Sequence, residues 1–294
     1  MNSNLTKKKR TIKDRRFGTE RALYALRDAK VVNCRFEGPE DGESALKESR
    51  GVAVENCSFS LRYPFWHARE FSVKDCTFDA GVRAPVWYAS GGSFKDCRIE
   101  GVKCLRESKN VSFERCSAVS DEFGWRCDGV GIRDSYVESM YFLFESRNVS
   151  VRGLRMKGKY SFQYVENMVI DDSELDTKDA FWHTKNVTVR NTVIKGEYLG
   201  WYSEGLTLIG CRISGTQPFC YCSGLMLIGC TMDGCDLSFE YSDVEADIGG
   251  CIDSVKNPRS GHITADSIGE IIRSDSVMPC ECVITERTKG GKAE

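Results

Sequence analysis

The chain of 294 residues reads as an all-β protein, a single-stranded right-handed parallel β-helix with about 19 residues per coil. Three observations predict this fold. A small side chain, followed two residues later by a larger apolar one, returns every 19 residues through Cys97, Cys116, Ser135, Leu154, Ser173, Thr192, Cys211 and Cys230. Its companions are Ile99, Ala118, Val137, Met156, Leu175, Ile194, Ile213 and Met232. A column of Gly and Asn keeps the same step: Gly91, Asn110, Gly129, Asn148, Asn167, Asn186, Gly205 and Gly224. After that column, short segments such as Val187-Thr188-Val189-Arg190 alternate apolar and polar with period two, and no helical periodicity intervenes.

Taken in order, Lys7, Lys8, Lys9, Arg10, Arg15 and Arg16 form a basic run, and residues 1–17 are expected to be a leader or a cap over the first coil. The small/apolar pair then appears as Cys34/Phe36, Cys57/Phe59 and Cys76/Phe78, with steps of 23, 19 and 21 that mark small insertions. Regular coils fill 18–250, about eleven or twelve of them at this period. Residues 251–294 break the period and are expected to cap and close the other end.

Within a coil, Val187 and Val189 face inward, Asn191 bends the chain, and Thr192 and Ile194 turn inward again. Gly and Asn tolerate the left-handed backbone, so their column marks a tight corner at which stacked Asn side chains can bond one another. An aromatic segment precedes the corner, as in Phe181-Trp182-His183-Thr184, and is expected as a second short strand. A leucine-rich repeat would need a helical half where Gly200 to Gly205 stands, and a left-handed hexapeptide helix would need a six-residue apolar beat.

The charge balance of 41 basic and 43 acidic residues gives a net −2, which favours neither nucleic acid nor membrane as partner. No segment approaches the roughly 20 apolar residues of a membrane span, and the expected location is cytoplasmic. Seven of the 15 cysteines share the small column with Ser, Thr and Leu, so they are expected as small buried hydrophobes and not as obligatory disulfides. Cys220-Tyr-Cys222 and Cys280-Glu-Cys282 are too close for zinc pairs; no metal and no cofactor is expected.

Several segments resemble an uncharacterised bacterial family, a domain of unknown function in the pectate-lyase-like β-helix superfamily. They are Gly42-Glu-Ser44, Leu46-Lys-Glu-Ser49, Lys178-Asp-Ala-Phe-Trp182, Gly196-Glu-Tyr-Leu-Gly-Trp201, Leu237-Ser-Phe-Glu-Tyr-Ser242, Ser254-Val-Lys-Asn-Pro-Arg-Ser-Gly261 and Ala265-Asp-Ser-Ile-Gly-Glu-Ile-Ile272. The resemblance covers nearly the whole chain and implies the fold, with no activity attached. The chain departs from the catalytic relatives. Asp171-Asp172 is flanked by Arg152-Gly153 and Arg190-Asn191 where a third aspartate would be needed, and Gly261-His262 lies beyond the regular coils.

Candidate function sits in the aromatic segment. One column places Trp66, Trp87, Trp125, Trp182 and Trp201; the next places His67, Tyr88, Glu107, Arg126, Glu145, Tyr164, His183 and Tyr202. The second column is too polar for a dry core and is expected to face solvent. Indole platforms beside hydrogen-bonding groups suit sugar rings, so Trp66, His67, Trp87, Tyr88, Trp125, Trp182, His183, Trp201 and Tyr202 are the candidate saccharide-binding residues. The alternative is that the tryptophans pack on one another between coils. Glu107, Arg126 and Glu145, on three successive coils, are the candidate catalytic set, with carboxylates ~9.6 Å apart by strand spacing. A charge row is the competing reading, because an intervening Arg holds both acids ionised. Asp253, Lys256, Asn257, Arg259 and His262 form a further polar cluster. The expected function is binding or processing of a polysaccharide, the latter as a glycoside hydrolase or lyase. The alternative is a structural β-helix whose same face meets a protein partner or a second copy of the chain.

Overall fold

The computed structural model describes residues 10–39 and 42–287. Among these residues no helix is found, and the chain forms a parallel β-solenoid of about 14 turns with roughly 19 residues each. The number of turns exceeds eleven or twelve because parallel pairing reaches further at both ends. Arg10–Lys13 pairs with Ala29–Val32, and Asp243–Lys256, Ser260–Ile272 and Val283–Glu286 pair in succession. The steps between these late coils depart from 19, Ala246 pairing Ile263 and Ile263 pairing Ile284, which hid them from a search at fixed period. Lys7, Lys8 and Lys9 lie outside the described residues.

Two compact units divide the chain, Met1–Ser120 and Asp121–Glu294. In the first unit, one ladder brings Ile12, Val31, Val54, Val73, Phe94 and Phe113 into register, all buried. A second ladder stacks Phe17, Phe36, Phe59 and Phe78 ring on ring at 5.2, 4.6 and 4.7 Å. In the second unit, Ile132, Val151, Ile170, Val189, Leu208 and Leu227 follow one another at an unbroken 19-residue step. Each inward side chain thus packs on its equivalent one coil away, and a β-branched or aliphatic residue at these positions loses little rotamer freedom.

The expected corner is present. Gly91, Asn110, Gly129, Asn148, Asn167, Asn186, Gly205 and Gly224 all have φ between 53° and 75°. Asn186 Nδ2 donates to Asn167 Oδ1 at 3.3 Å, the axial bond anticipated from the sequence. The bend at Asn191 also has positive φ (48°), and its Nδ2 donates to Asp172 Oδ1 at 3.3 Å.

The small column is buried throughout, and its chemistry is more specific than volume. The backbone N–H of Cys34 donates to Cys57 Sγ and that of Cys57 to Cys76 Sγ, both at 3.3 Å; that of Leu154 donates to Ser173 Oγ at 3.1 Å. The same hetero-atoms donate to the carbonyl two residues back, as Ser173 Oγ does to Asp171 O at 2.7 Å. Cys, Ser and Thr recur because each supplies a donor and an acceptor one bond from Cβ, where the bend interrupts the ladder. The cysteines are free thiols. Burial pushes Cys222 up to about 11 and Cys235 up to about 12, so both are inert packing groups at neutral pH.

Candidate functional site

The aromatic segment is the arc that sets the surface, and for most coils it is not the strand expected from its sequence. In the second unit its residues alternate in the sign of φ: Tyr160, Phe162 and Tyr164 are at 59°, 61° and 58°, and Asp179, Phe181 and His183 at 51°, 62° and 54°. Hydrogen bonding to both neighbouring coils survives this zigzag. Phe181 N–H donates to Ser161 O at 3.0 Å and His183 N–H to Trp201 O at 2.9 Å. The inter-coil bonds overcome the left-handed cost of about 1–2 kcal/mol per residue. In the first unit, Val86–Trp87 and Leu105–Arg106 do pair as short strands.

The zigzag changes which side chains face outward. A buried residue (Phe65, Val86, Phe181) is followed by a half-buried one, then an exposed one, then a buried small one; after Phe162 and Phe219 the second place, Gln163 and Cys220, is buried as well. Trp66, Trp87, Trp125, Trp182 and Trp201 occupy the half-buried place. His67, Tyr88, Arg126, Glu145, Tyr164, His183 and Tyr202 occupy the exposed one, with Glu107 and Tyr221 partly covered, so the second column faces solvent as expected. Gly200 has φ 73° and stands in the buried place, where an added Cβ would lie 2.7 Å from the Phe219 ring.

Four of the five tryptophans stack in two pairs. Trp66 and Trp87 lie 5.7 Å apart at 15°, Trp182 and Trp201 5.4 Å apart at 8°. Lys47 Nζ sits 3.9 Å over Trp66, the Arg106 guanidinium 5.9 Å from Trp87, and Phe144 5.2 Å from Trp125. In the second unit the polar edge of this column is tied to the backbone sixteen residues on. Trp125 Nε1 donates to Tyr141 O at 3.1 Å, Trp182 Nε1 to Tyr198 O at 2.5 Å and Trp201 Nε1 to Gln217 O at 2.9 Å. Gln163 Nε2 makes the same bond to Asp179 O at 2.9 Å, which explains why Gln stands in a Trp column.

The exposed column forms its own ladder. Tyr164 and His183 are 4.9 Å apart, His183 and Tyr202 5.0 Å, Tyr202 and Tyr221 4.8 Å, all within 10° of parallel. No protein group among the described residues takes the hydroxyls of Tyr164, Tyr202 or Tyr221. In the first unit His67 stacks on Tyr88 at 5.2 Å and borders a polar depression lined by Arg27, Glu48, Ser49, Arg50 and Arg69.

The candidate catalytic residues are engaged separately. Arg126 Nε donates to Glu145 Oε2 at 2.6 Å. Glu107 belongs to the first unit, where its carboxylate holds the Tyr88 hydroxyl protonated and raises its pKa. Asp171 is paired with Arg190 at 3.1 Å and Asp172 with Arg152 at 3.2 Å, as a solvated charged turn would be. His262 Nδ1 is 3.4 Å from Glu245 Oε1. Sequence reasoning passed over Asp179, whose carboxyl burial pushes up, and Asp275, which meets Lys256 and Asn257. The signal for Asp179 was its place in Lys178-Asp-Ala-Phe-Trp182; Asp275 lies in an irregular loop that no period reveals.

Among the described residues no group of three or more His, Cys, Asp or Glu converges as metal ligands do, and no helix is long and apolar enough to cross a membrane. The family described as "Protein of unknown function (DUF3737)" matches residues 10–285, and the chain belongs to it. No curated protein matches the chain. Among solved structures, the A-module of the mannuronan C-5 epimerase AlgE6 from Azotobacter vinelandii is similar at 8% identity and TM-score 0.43, over 94% of this chain and 87% of that one. A GH87 α-1,3-glucanase catalytic domain in complex with nigerose is similar at 10% identity and TM-score 0.37, over 96% and 64%. The pentapeptide repeat protein HetL from Nostoc sp. is similar at 10% identity and TM-score 0.30, over 79% and 91%. Likeness of this degree carries no inference about substrate or activity.

Proposed function

We propose that this member of the DUF3737 family is a non-catalytic binding protein whose outward-facing Tyr164–His183–Tyr202–Tyr221 ladder takes an extended saccharide. One observation carries the reading: four rings, three exposed and Tyr221 partly covered, repeat at 4.8–5.0 Å in near-parallel planes. Their hydroxyl and imidazole edges therefore form a row of hydrogen-bonding groups at fixed spacing. Each ring is held by its neighbours, so little side-chain entropy is lost when a ligand binds. A hydroxyl-rich polymer lying along the row can bond to one edge per coil. The Trp column behind the row supports it and offers only ring edges, because its faces are stacked.

Catalysis has less support. Glu145 is held by Arg126, and Glu107 lies beside the Tyr88 hydroxyl, so each carboxylate already has a partner of its own.

The stacking that rigidifies the ladder also favours a second reading. With ring faces occupied, sugar stacking on indole is withheld, while rigid Tyr and His edges suit a protein partner or a second copy of the chain. An oligosaccharide panel followed by calorimetry separates the two. Binding of a panel member, weakened about tenfold or more by Tyr202→Ala or His183→Ala, supports the saccharide. No binding, together with a concentration-dependent mass shift abolished by Tyr202→Ala, replaces it with the protein interface.

A further inference from the structure

We propose that Lys256 and Asn257 form a subsite for a carboxylate bearing a neighbouring hydroxyl, occupied in the resting protein by the chain's own Asp275. Lys256 ends the strand Asp243–Lys256, and Asn257 follows it with φ 43° and no solvent exposure. Lys256 Nζ donates to Asp275 Oδ2 at 3.1 Å, and Asn257 Nδ2 donates to Asp275 Oδ1 at 2.8 Å. Two donors on consecutive residues thus hold both oxygens of one carboxylate, the arrangement by which a protein recognises a carboxylate ligand.

Exposure separates the host from its occupant. The Lys256 and Glu240 side chains are 20% and 16% exposed, whereas Asp275 is 55% exposed. Lys256 Nζ also donates to Glu240 Oε1 at 3.0 Å, which fixes the ammonium from behind. Asp275 rides on the loop 273–282, whose tip leaves Val277 84% and Met278 40% exposed. That loop is fastened to the coils by Val277 N–H on the Tyr241 hydroxyl at 3.3 Å and by Cys280 Sγ on Asn257 O at 3.3 Å. Glu281 N–H on Arg259 O at 2.8 Å fastens the far end of the loop, and the contact made by Asp275 closes its near end as a latch.

A second observation points to the ligand's chemistry. Asn257 Oδ1 is buried and has no hydrogen-bond partner among the described residues. Asp275 brings no donor that could serve it, and a buried acceptor left unserved is a standing penalty. A ligand with a hydroxyl beside its carboxylate would satisfy both atoms of the amide. Replacing one carboxylate by another also leaves the local charge unchanged, so Glu240 poses no new repulsion. The subsite does not depend on saccharide binding at the ladder.

The latch has a signed pH dependence. Asn257, then Lys256, hold the Asp275 carboxyl below its ordinary value of 3.8. The stabilisation is fully present above that value and is lost as pH falls through the lowered one.

The test uses the full chain with Asp275→Ala, titrated with glycolate, acetate or ethylene glycol while the Asn257 side-chain amide is followed by nitrogen-15 NMR. Glycolate is expected to bind the variant roughly tenfold tighter than the wild type, the factor for donors uncovered about a tenth of the time. Acetate should bind more weakly, ethylene glycol should leave the amide unmoved, and adding Lys256→Met should abolish the glycolate response. An unmoved amide in a variant whose circular dichroism is intact overturns the subsite. Acetate equal to glycolate overturns the hydroxyl assignment. Should Asp275→Ala fail to fold, Asp275→Leu keeps the loop's volume with no hydrogen-bonding group and carries the same comparison.

Discussion

Two pairs of tryptophans occupy the same column and differ in how their indole nitrogens are served. Trp182 and Trp201, in the second unit, stack and donate to Tyr198 O and Gln217 O. Trp66 and Trp87, in the first, also stack, but their Nε1 atoms are buried with no partner among the described residues. The coils differ accordingly. From Ile132 to Leu227 the second unit holds a strict 19-residue step, which keeps a carbonyl sixteen residues on within reach of Trp125, Trp182 and Trp201. Trp66 and Trp87 are 21 residues apart, so an insertion lengthens the coil that follows Trp66; Trp87 lacks the bond even though its equivalent Arg106 follows at 19 residues. Stacking therefore persists whether or not the indole edge finds a carbonyl.

The comparison can be broken at several strengths. The largest effect is expected from truncation: Trp201→Ala should destabilise by about 3 kcal/mol. Trp87→Ala should be milder by about 1–2 kcal/mol, since it also removes an unserved donor. Equal losses in urea melts would contradict the distinction. Next comes the edge bond alone. Trp201→Phe should cost about 1–2 kcal/mol, and Gln163→Leu a similar amount by freeing Asp179 O, whereas Trp87→Phe should stay within about 0.5 kcal/mol. A thermal scan in which Trp87→Phe is the worst of the three would reverse the account. A smaller effect is expected at the corner, where Asn186→Ala should lose about 1 kcal/mol and Asn186→Gly only a few tenths, read from denaturant midpoints. The smallest is Lys47→Ala, which uncovers the outer face of Trp66 and should cost about 0.5–1 kcal/mol while raising acrylamide quenching.

Much of the fold was legible because solenoid coils repeat their physics. The small column, the Gly/Asn corner and the inward Val/Ile/Leu positions each recur at one step, so position n predicts n+19. The aromatic arc was read as a strand because its period-two hydrogen bonding survives, yet nothing in Leu143, Phe162 or Tyr164 announces a left-handed backbone. Those residues adopt it only because coils on both sides bond to them. The outward place of the His/Tyr/Glu/Arg column could be read from its polarity. That the indoles would stack and turn their edges to backbone carbonyls could not, since Gln163 was the sole hint and its bond required the coordinates. The coils beyond residue 250 were hidden by their changed lengths, and the Asp275 latch by its irregular loop.

The central claim is a division of labour within the arc: the exposed ladder binds, and the tryptophan column behind it supports. Affinity for a saccharide hit and unfolding free energy, measured together on Tyr202→Ala and Trp201→Phe, test it most directly. Tyr202→Ala is expected to lose affinity about tenfold with a smaller loss of stability, and Trp201→Phe to lose stability with affinity kept. The opposite pattern, affinity lost with Trp201→Phe and kept with Tyr202→Ala, would contradict it.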